Sequence, residues 1–523
     1  MTTISRIEGF EAPPKQNSLV FWLIITMLGI VLFGIQVFMG AQVEYAALIF
    51  TFTLLTAAAF KVAGGLGSFM GFVVLFLGLQ HVIFSQWVKV VFLQRPDEII
   101  WSPIATLTMY NVGMAGLLAG AVALRSVRLD RWRNILPSTE DTSKLLLISV
   151  ILLVLSTIRG YVISRYGIVE QGGLYIGGFV GFWRNLQFPQ FMAIAAGTAY
   201  AIIKSDGKRC LNFINVTALL VSFAVGIIYG VRNDMVFAAL TFVTTCLAYG
   251  FKFGVRHYLL LGVLIFLFFR VMSPYSLYAR SEGRVRVGSA EDRIAAAGKA
   301  LADVIYEPDR YRRTDDSVEV SGLPYEEMMT HYYKVNNNVL ERFAILCVAS
   351  SVVYNTDLRG TTGGERIEHG WQMVLPRAIN PEKPAIGTAN KLAHQGIGLV
   401  HPTDNFTQVV LGFMVDAYNA HGQFATFLTS ALVMLGVGVV MALTFGTQIH
   451  RNYMLCGVFW MFAESFSEGT IARIIVTWTF DVATAVIFLL FLVLASNAFT
   501  RRSRTATYVY EHERGAVREV TAN

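Results

Sequence analysis

Eight residues of this 523-residue chain have types and settings suited to holding anions and moving protons. Five are cationic. Arg159 interrupts the apolar run LLLISVILLVLSTIRGY, and Arg232 sits in GVRND at the end of another. Arg342 follows Glu341, and Arg377 and Lys383 lie between the prolines of WQMVLPRAINPEKP. A guanidinium stays charged and grips phosphate or carboxylate oxygens through two parallel N–H bonds. The bland alternatives stay open: Arg159 and Arg232 snorkelling to headgroups, Arg342 paired with Glu341 or Glu365, and a rigid proline-held turn with its charges in water. Three residues suit proton transfer: His369 in GGERIEHGW, and Asp416 and His421 in VDAYNAHG. Histidine titrates near neutrality and carboxylates serve as general bases, although each of the three also fits a structural role, as do His401 and Asp404 in VHPTDN. Glu464, Glu468, Arg473 and Asp481 break the apolar pattern near the C-terminus, where pairing of Glu468 with Arg473 would explain two of them. Histidine spacing does not follow HExxH, and no P-loop, dinucleotide fingerprint or GxSxG elbow occurs. No metal and no cofactor is expected.

The elements that must position these residues are membrane helices. Apolar residues make up 54% of the chain before its 45 glycines are counted, above the roughly 45–50% that soluble domains reach with glycine included. Charged residues are 15%, against roughly 25% in soluble proteins. That excludes a soluble globular enzyme, a disordered chain and a secreted disulfide scaffold. Cys210, Cys246, Cys347 and Cys456 form no CxxC or zinc pattern. The net charge of +7 is read as membrane topology rather than nucleic-acid binding.

Twelve apolar runs predict an all-α polytopic membrane protein of about twelve transmembrane helices: 19–39, 43–62, 69–93, 101–124, 145–163, 186–203, 213–231, 235–251, 258–273, 424–446, 453–470 and 472–499. The first is too long for a signal-peptide core and is read as a membrane helix. Lys and Arg cluster after the fourth, sixth, eighth and twelfth runs (Arg125, Arg128, Lys204, Lys208, Lys252, Arg256, Arg501, Arg502). By the positive-inside tendency those ends face the cytoplasm, with both termini.

The division expected is a cytoplasmic tail 1–18, helices one to nine over 19–273, an extracytoplasmic loop domain 274–423, helices ten to twelve over 424–499, and a cytoplasmic tail 500–523. The loop carries 15 Lys/Arg against 18 Asp/Glu and five of the nine histidines, too many ionisable groups for a mere connector. A helix is expected around 290–305 and another over 336–354, an ordered Gly/Pro-rich loop over 355–405, and a short re-entrant or interfacial helix over 406–420. Arginines gathered at the outer rim suit an anionic lipid-borne substrate, and a lipid diphosphate fits best, being a leaving group that needs no nucleotide.

ERFAILCVASSVVYNTD, a Gly-rich stretch and then LPRAINPEKP (Leu375–Pro384) resemble the polysaccharide repeat-unit polymerases of the O-antigen polymerase (Wzy) type, related to the O-antigen ligases. Members carry PR, two or three residues, then P-x-KP in the large outer loop. Arg377 with Gly387 also resembles an Arg-x(9 or 10)-Gly pattern, which Arg165 does not repeat. DAYNAHG (Asp416–Gly422) is similar to a segment before the tenth helix, with His421 as a departure. The ligase-like His-Asn pattern is absent, since Pro402 follows His401.

The resemblance implies a GT-C-like fold and a metal-independent glycosyltransferase. Such an enzyme polymerises undecaprenyl-diphosphate-linked oligosaccharides on the outer face of the bacterial cytoplasmic (inner) membrane. A chain-length regulator and a flippase are then expected partners beside the bilayer, and nucleic acid is not. The diphosphate-binding role is carried onto Arg377 and, more weakly, Arg232 and Arg342; Arg159 and Lys383 join them from the reading of the residues. His369, Asp416 or His421 would be the base. Two rivals remain: a ligase with the same donor and another acceptor, and a transporter of an anionic glycolipid or solute.

Overall fold

The computed structural model describes residues 18–127, 134–136, 138–166, 188–229, 232–272, 290–306, 344–374, 388–396 and 411–497, with residues 183, 186, 275, 332–333, 399 and 409. Among them every extended element is a helix, and a lone bridge joins Ser68 to Gln448.

Each of the twelve apolar runs contains a helix. The helices are α1 (Ser18–Phe38), α2 (Val43–Val62), α3 (Phe69–Val91), α4 (Pro103–Ser126), α5 (Thr142–Tyr166), α6 (Phe188–Lys204), α7 (Phe213–Tyr229), α8 (Arg232–Ala248) and α9 (Val255–Leu267). After them come α10 (Ala290–Tyr306), α11 (Ile345–Arg359), α12 (Glu365–Val374) and α13 (Thr388–Ala393), then α14 (Phe413–Thr444), α15 (Tyr453–Glu468) and α16 (Ile471–Asn497). Seven of these, α1–α5, α14 and α16, are long and apolar enough to cross a bilayer. The chain is therefore a polytopic helical membrane protein. Helices α6, α7, α8 and α15 have only 16 or 17 residues, about 25 Å of helix. The bundle shows apolar side chains outward where lipid would lie, as on α1 (Leu19, Leu23, Met27), α14 (Leu428, Leu432) and α16 (Ile487, Phe491, Leu494).

The helices run between two ends. At one, the connectors meet backbone to backbone: Phe69 N–H donates to Thr447 O, Ile449 N–H to Gly67 O, Ile135 N–H to Leu443 O, Leu136 N–H to Thr444 O and Arg451 N–H to Ala248 O. At the other, hereafter the loop end, α11 and α12 cover the bundle. There Ser350 Oγ accepts from Trp101 N–H, and Gln94 Nε2 donates to Tyr332 O. Helix α1 starts, and α16 finishes, at the end away from α11 and α12.

Helix α14 is not one rod. His421 (φ −150°, ψ 22°) and Gly422 (φ 73°, ψ −156°) leave helical geometry. Glycines on α4 reveal the result. A Cβ on Gly113 would lie 2.6 Å from Met414, and one on Gly116 would lie 2.3 Å from Phe427 O. Gly113 and Gly116 are one turn apart, whereas Met414 and Phe427 would be about 20 Å apart on a straight helix. The chain therefore turns back at His421–Gly422. Phe413–Ala420 rises to a tip and 423–444 descends along α4, where Gly120 closes to within 2.5 Å of Ala431 O by the same measure. Small residues allow this backbone approach. The rising leg ends with free carbonyls, as helices do, and Thr362 N–H and Gly363 N–H donate to Asn419 O and Ala420 O. The short helix expected over 406–420 is described from Phe413 to Ala420.

The loop region departs from expectation in two places. The Gly/Pro-rich stretch 355–405, read as loop, contains α12 and α13. The helix expected over 336–354 is described from Ile345 to Arg359. Helix α10 falls where it was expected.

Candidate functional site

A continuous string of polar side chains crosses the bundle at the loop end, among otherwise apolar helices. It starts at Arg159 on α5, seven residues before Tyr166, about 10 Å below the helix end. Arg159 is 4% exposed. Its Nε donates to Trp183 O (3.2 Å) and its Nη1 to Gln190 Oε1 (3.2 Å). Burying a guanidinium here without carbonyl partners would cost several kcal/mol, on the order of 3 at mid-bilayer. Gln190 is in the first turn of α6, beside Pro189, a residue tolerated at a helix start because its missing N–H is not needed there.

Asp234, in the first turn of α8, lies within electrostatic reach of Arg159. A carboxylate is favoured there by the helix N-terminus. Its neighbour Asn233 donates Nδ2–H to Glu464 Oε1 at 2.5 Å. Glu464 and Glu468 are one turn apart on α15, a spacing at which like charges repel. Glu464 also feels Asp234 and the cation of Arg473. Gln80 Nε2 donates to Glu468 Oε1 at 2.8 Å. Gln80 lies in a π-helical bulge, Leu79–Ile83, which turns it and His81 toward the α15–α16 turn; such bulges are frequent at functional sites. His81 Nε2 is 2.9 Å from Ser467 O and Nδ1 is 3.1 Å from Tyr110 OH. A carbonyl only accepts, so these partners assign the proton to Nε2 and leave Nδ1 to accept from Tyr110. Arg473 Nη1 lies 3.9 Å from Asp481 Oδ2, about two helical turns along α16, and Glu468 Oε1 accepts from Gln80.

The residues singled out from sequence fall in different places. Arg159 is in the string. Arg232 heads α8 next to Asn233, its side chain outside the described ones. Arg342, Arg377 and Lys383 lie outside the described residues. Asp416 is fully buried and its Oδ2 accepts from Ile471 N–H at 2.9 Å, so it serves the first turn of α16 together with Thr470, whose side chain accepts from Arg473 N–H. His369 is buried on the face of α12 that packs on α16, where Gly370 meets Ala472 closely enough that a Cβ would lie 2.9 Å from its Cα. His421 is exposed at the tip of the α14 hairpin, beside Gly364. Asn233, Gln80 and Gln190 carried no sequence signal, because neutral amides in apolar runs are common. The two glutamates at i and i+4 in MFAESFSEG were the signal for this part of the string.

The string has donors at one side (Arg159, Gln190) and carboxylates at the other (Glu464, Glu468). It can hold an anion against the first and accept a proton at the second. Among the described residues no group of three or more His, Cys, Asp or Glu has metal-holding geometry. No family profile, curated protein or solved structure matches the chain.

Proposed function

We propose that this protein is a membrane glycosyltransferase of the repeat-unit polymerase kind. It joins undecaprenyl-diphosphate-linked oligosaccharides into a polysaccharide at the outer face of a bacterial cytoplasmic membrane. The observation that carries the reading is Arg159: a guanidinium buried in an apolar helix, oriented by Trp183 O and Gln190 Oε1 and within electrostatic reach of Asp234. A lipid-borne diphosphate would meet that group without leaving the bilayer, and fixed N–H donors stabilise charge on a departing oxyanion. Arg232, at the head of α8, and Arg377 and Lys383, in the proline-bounded segment, would add to the grip. The exposed His421 and the buried His369 flank the same end of the bundle.

The test uses purified protein in lipid nanodiscs with lipid-linked oligosaccharide extracted from cells lacking this chain. The wild type should build a ladder of products and release undecaprenyl diphosphate. Arg159→Lys keeps the charge and loses the fork, and should lower turnover by about 10²-fold, the cost of one oxyanion donor. Normal ladders from Arg159→Ala would end the reading.

The interruption of α14 at His421–Gly422 also favours a transporter, since broken helices line transport sites. Accumulation of labelled glycolipid across proteoliposomes, with no glycosidic bond made, would select that reading instead.

A further inference from the structure

Two buried amide atoms toward the ends of the polar string meet no hydrogen-bond partner among the described residues. Gln190 is 1% exposed, and its Oε1 must face Arg159, which can only donate; its Nε2 then meets no acceptor among the described residues. Gln80 is 8% exposed, and its Nε2 faces the carboxylate of Glu468; its Oε1 meets no donor among the described residues. An unmade hydrogen bond at a buried amide costs about 1–3 kcal/mol, so each marks a place where another polar group completes the site. The unmet atom beside Arg159 is a donor and calls for an anionic oxygen. The unmet atom beside Glu468 is an acceptor and calls for a hydroxyl.

Between them stand Glu464 and Glu468, both part-exposed. Glu464 is held by Asn233 through one oxygen, Oε1. Among the described residues, the charged groups that act on it are Asp234 on α8, Glu468 on its own helix and Arg473 on α16. Carboxylates outnumber guanidiniums in this set.

We infer that Glu464 is the proton acceptor of the transfer reaction and that Gln80, with Glu468, seats the sugar hydroxyl of the incoming unit. The inference rests on the glycosyltransferase reading and adds the acceptor subsite to it. The hydroxyl oxygen bonds to the anomeric carbon. The bond from that carbon to the diphosphate oxygen breaks, its electron pair staying on the lipid diphosphate. The hydroxyl proton passes to the Glu464 carboxylate, and Arg159 with Gln190 Nε2 faces the new anionic oxygen.

The same nanodisc assay, run across pH 5–9, tests this. Glu464→Gln retains an oxygen for Asn233 and should elute as the wild type does. Its turnover should fall by about 10²–10⁴-fold, the usual worth of a general base, with KM for the lipid-linked unit changed little and the acidic limb of the pH profile lost. Gln80→Leu should raise KM and leave that limb in place. Glu464→Asp, which keeps the carboxylate one methylene back, should retain the limb at a lower plateau, and it serves if the glutamine variant does not accumulate. A wild-type ladder with an unchanged acidic limb in Glu464→Gln, or no limb in Glu464→Asp, overturns the proton acceptor and leaves the glycosyltransferase reading standing. A wild type that makes no product from the lipid-linked units overturns both.

Discussion

The two ends of the helix bundle are built from different bonds. The end away from α11 and α12 is tied by backbone amides and carbonyls from four connectors, with asparagines at its turns. Asn452 accepts from Leu455 N–H and donates to Phe445 O, and Asn215 donates to Cys210 O and Thr198 Oγ1. The loop end, beside the backbone pair at Thr362–Gly363, is tied mostly by long polar side chains: Lys89 holds the connector after its helix, and Gln94, Gln80, His81 and Asp416 reach other segments. Backbone ties tolerate sequence change and hold a fixed shape. Side-chain ties place charged and amide groups inside an apolar bundle, where they are costly unless they do something besides hold it together. Binding residues gather on segments presented by a rigid scaffold, and one end of this molecule is the scaffold for the other.

Three substitutions probe that contrast. The largest effect is expected at Lys89, fully buried, whose Nζ donates to Pro96 O and Glu98 O and lies 4.0 Å from the Tyr332 ring centroid. Lys89→Met fills the space but strands two carbonyls, and should cost about 2–3 kcal/mol. Thermal unfolding in detergent gives the loss, and hydrogen exchange should rise first in α11. If exchange rose equally at the other end, the two ends would not be separate structures.

At that other end, Asn452→Ala removes the N-cap of α15 and should cost about 1 kcal/mol. Turnover at saturating substrate should not change. A drop in turnover without a matching drop in folded protein would mean that the scaffold takes part in function.

The smallest effect is pH-dependent. Burial alone would raise the pKa of Asp97, but hydrogen bonds from Arg95 and from Gln42 N–H outweigh it and hold the carboxyl below its ordinary value. A carboxyl whose pKa is lower in the folded state stabilises the fold above about pH 4, and that contribution is lost as pH falls through the lowered value. Wild type and Asp97→Asn should therefore differ in melting temperature at pH 7 and converge in acid. A constant gap across pH would show that Arg95 does not act through charge.

Helices were legible because each apolar run is long and uniform, and lipid-facing segments need no partner to be recognised. The polar string was not, because its links join residues far apart in the chain: Gln80 meets Glu468, and Asn233 meets Glu464. Helix α12 was hidden for another reason. Among the described side chains of ERIEHGWQMV, the buried ones are His369 and Gly370, too narrow an apolar face to stand out among glycines. Asp416 suits proton transfer by its setting in an apolar run, and the structure adds that its Oδ2 accepts from Ile471 N–H. The turn ahead of α16 was readable as Gly-Thr before an apolar stretch, but nothing local says that a carboxylate from α14 completes it.

The rising leg of α14 bears on how the protein is made. Eight residues of helix, Phe413–Ala420, reach about 12 Å, too little to be threaded through a bilayer as a span. In hydrocarbon such a leg survives only against other protein. Besides α4 and the backbone at 362–363, it leans on α16, whose Ile471 N–H donates to Asp416 and which is made after it, so the leg must wait until α16 is in place. Assembly of this chain thus runs out of sequence order at its C-terminal third, and a ribosome-paused intermediate ending near residue 445 should still leave that leg accessible to labelling.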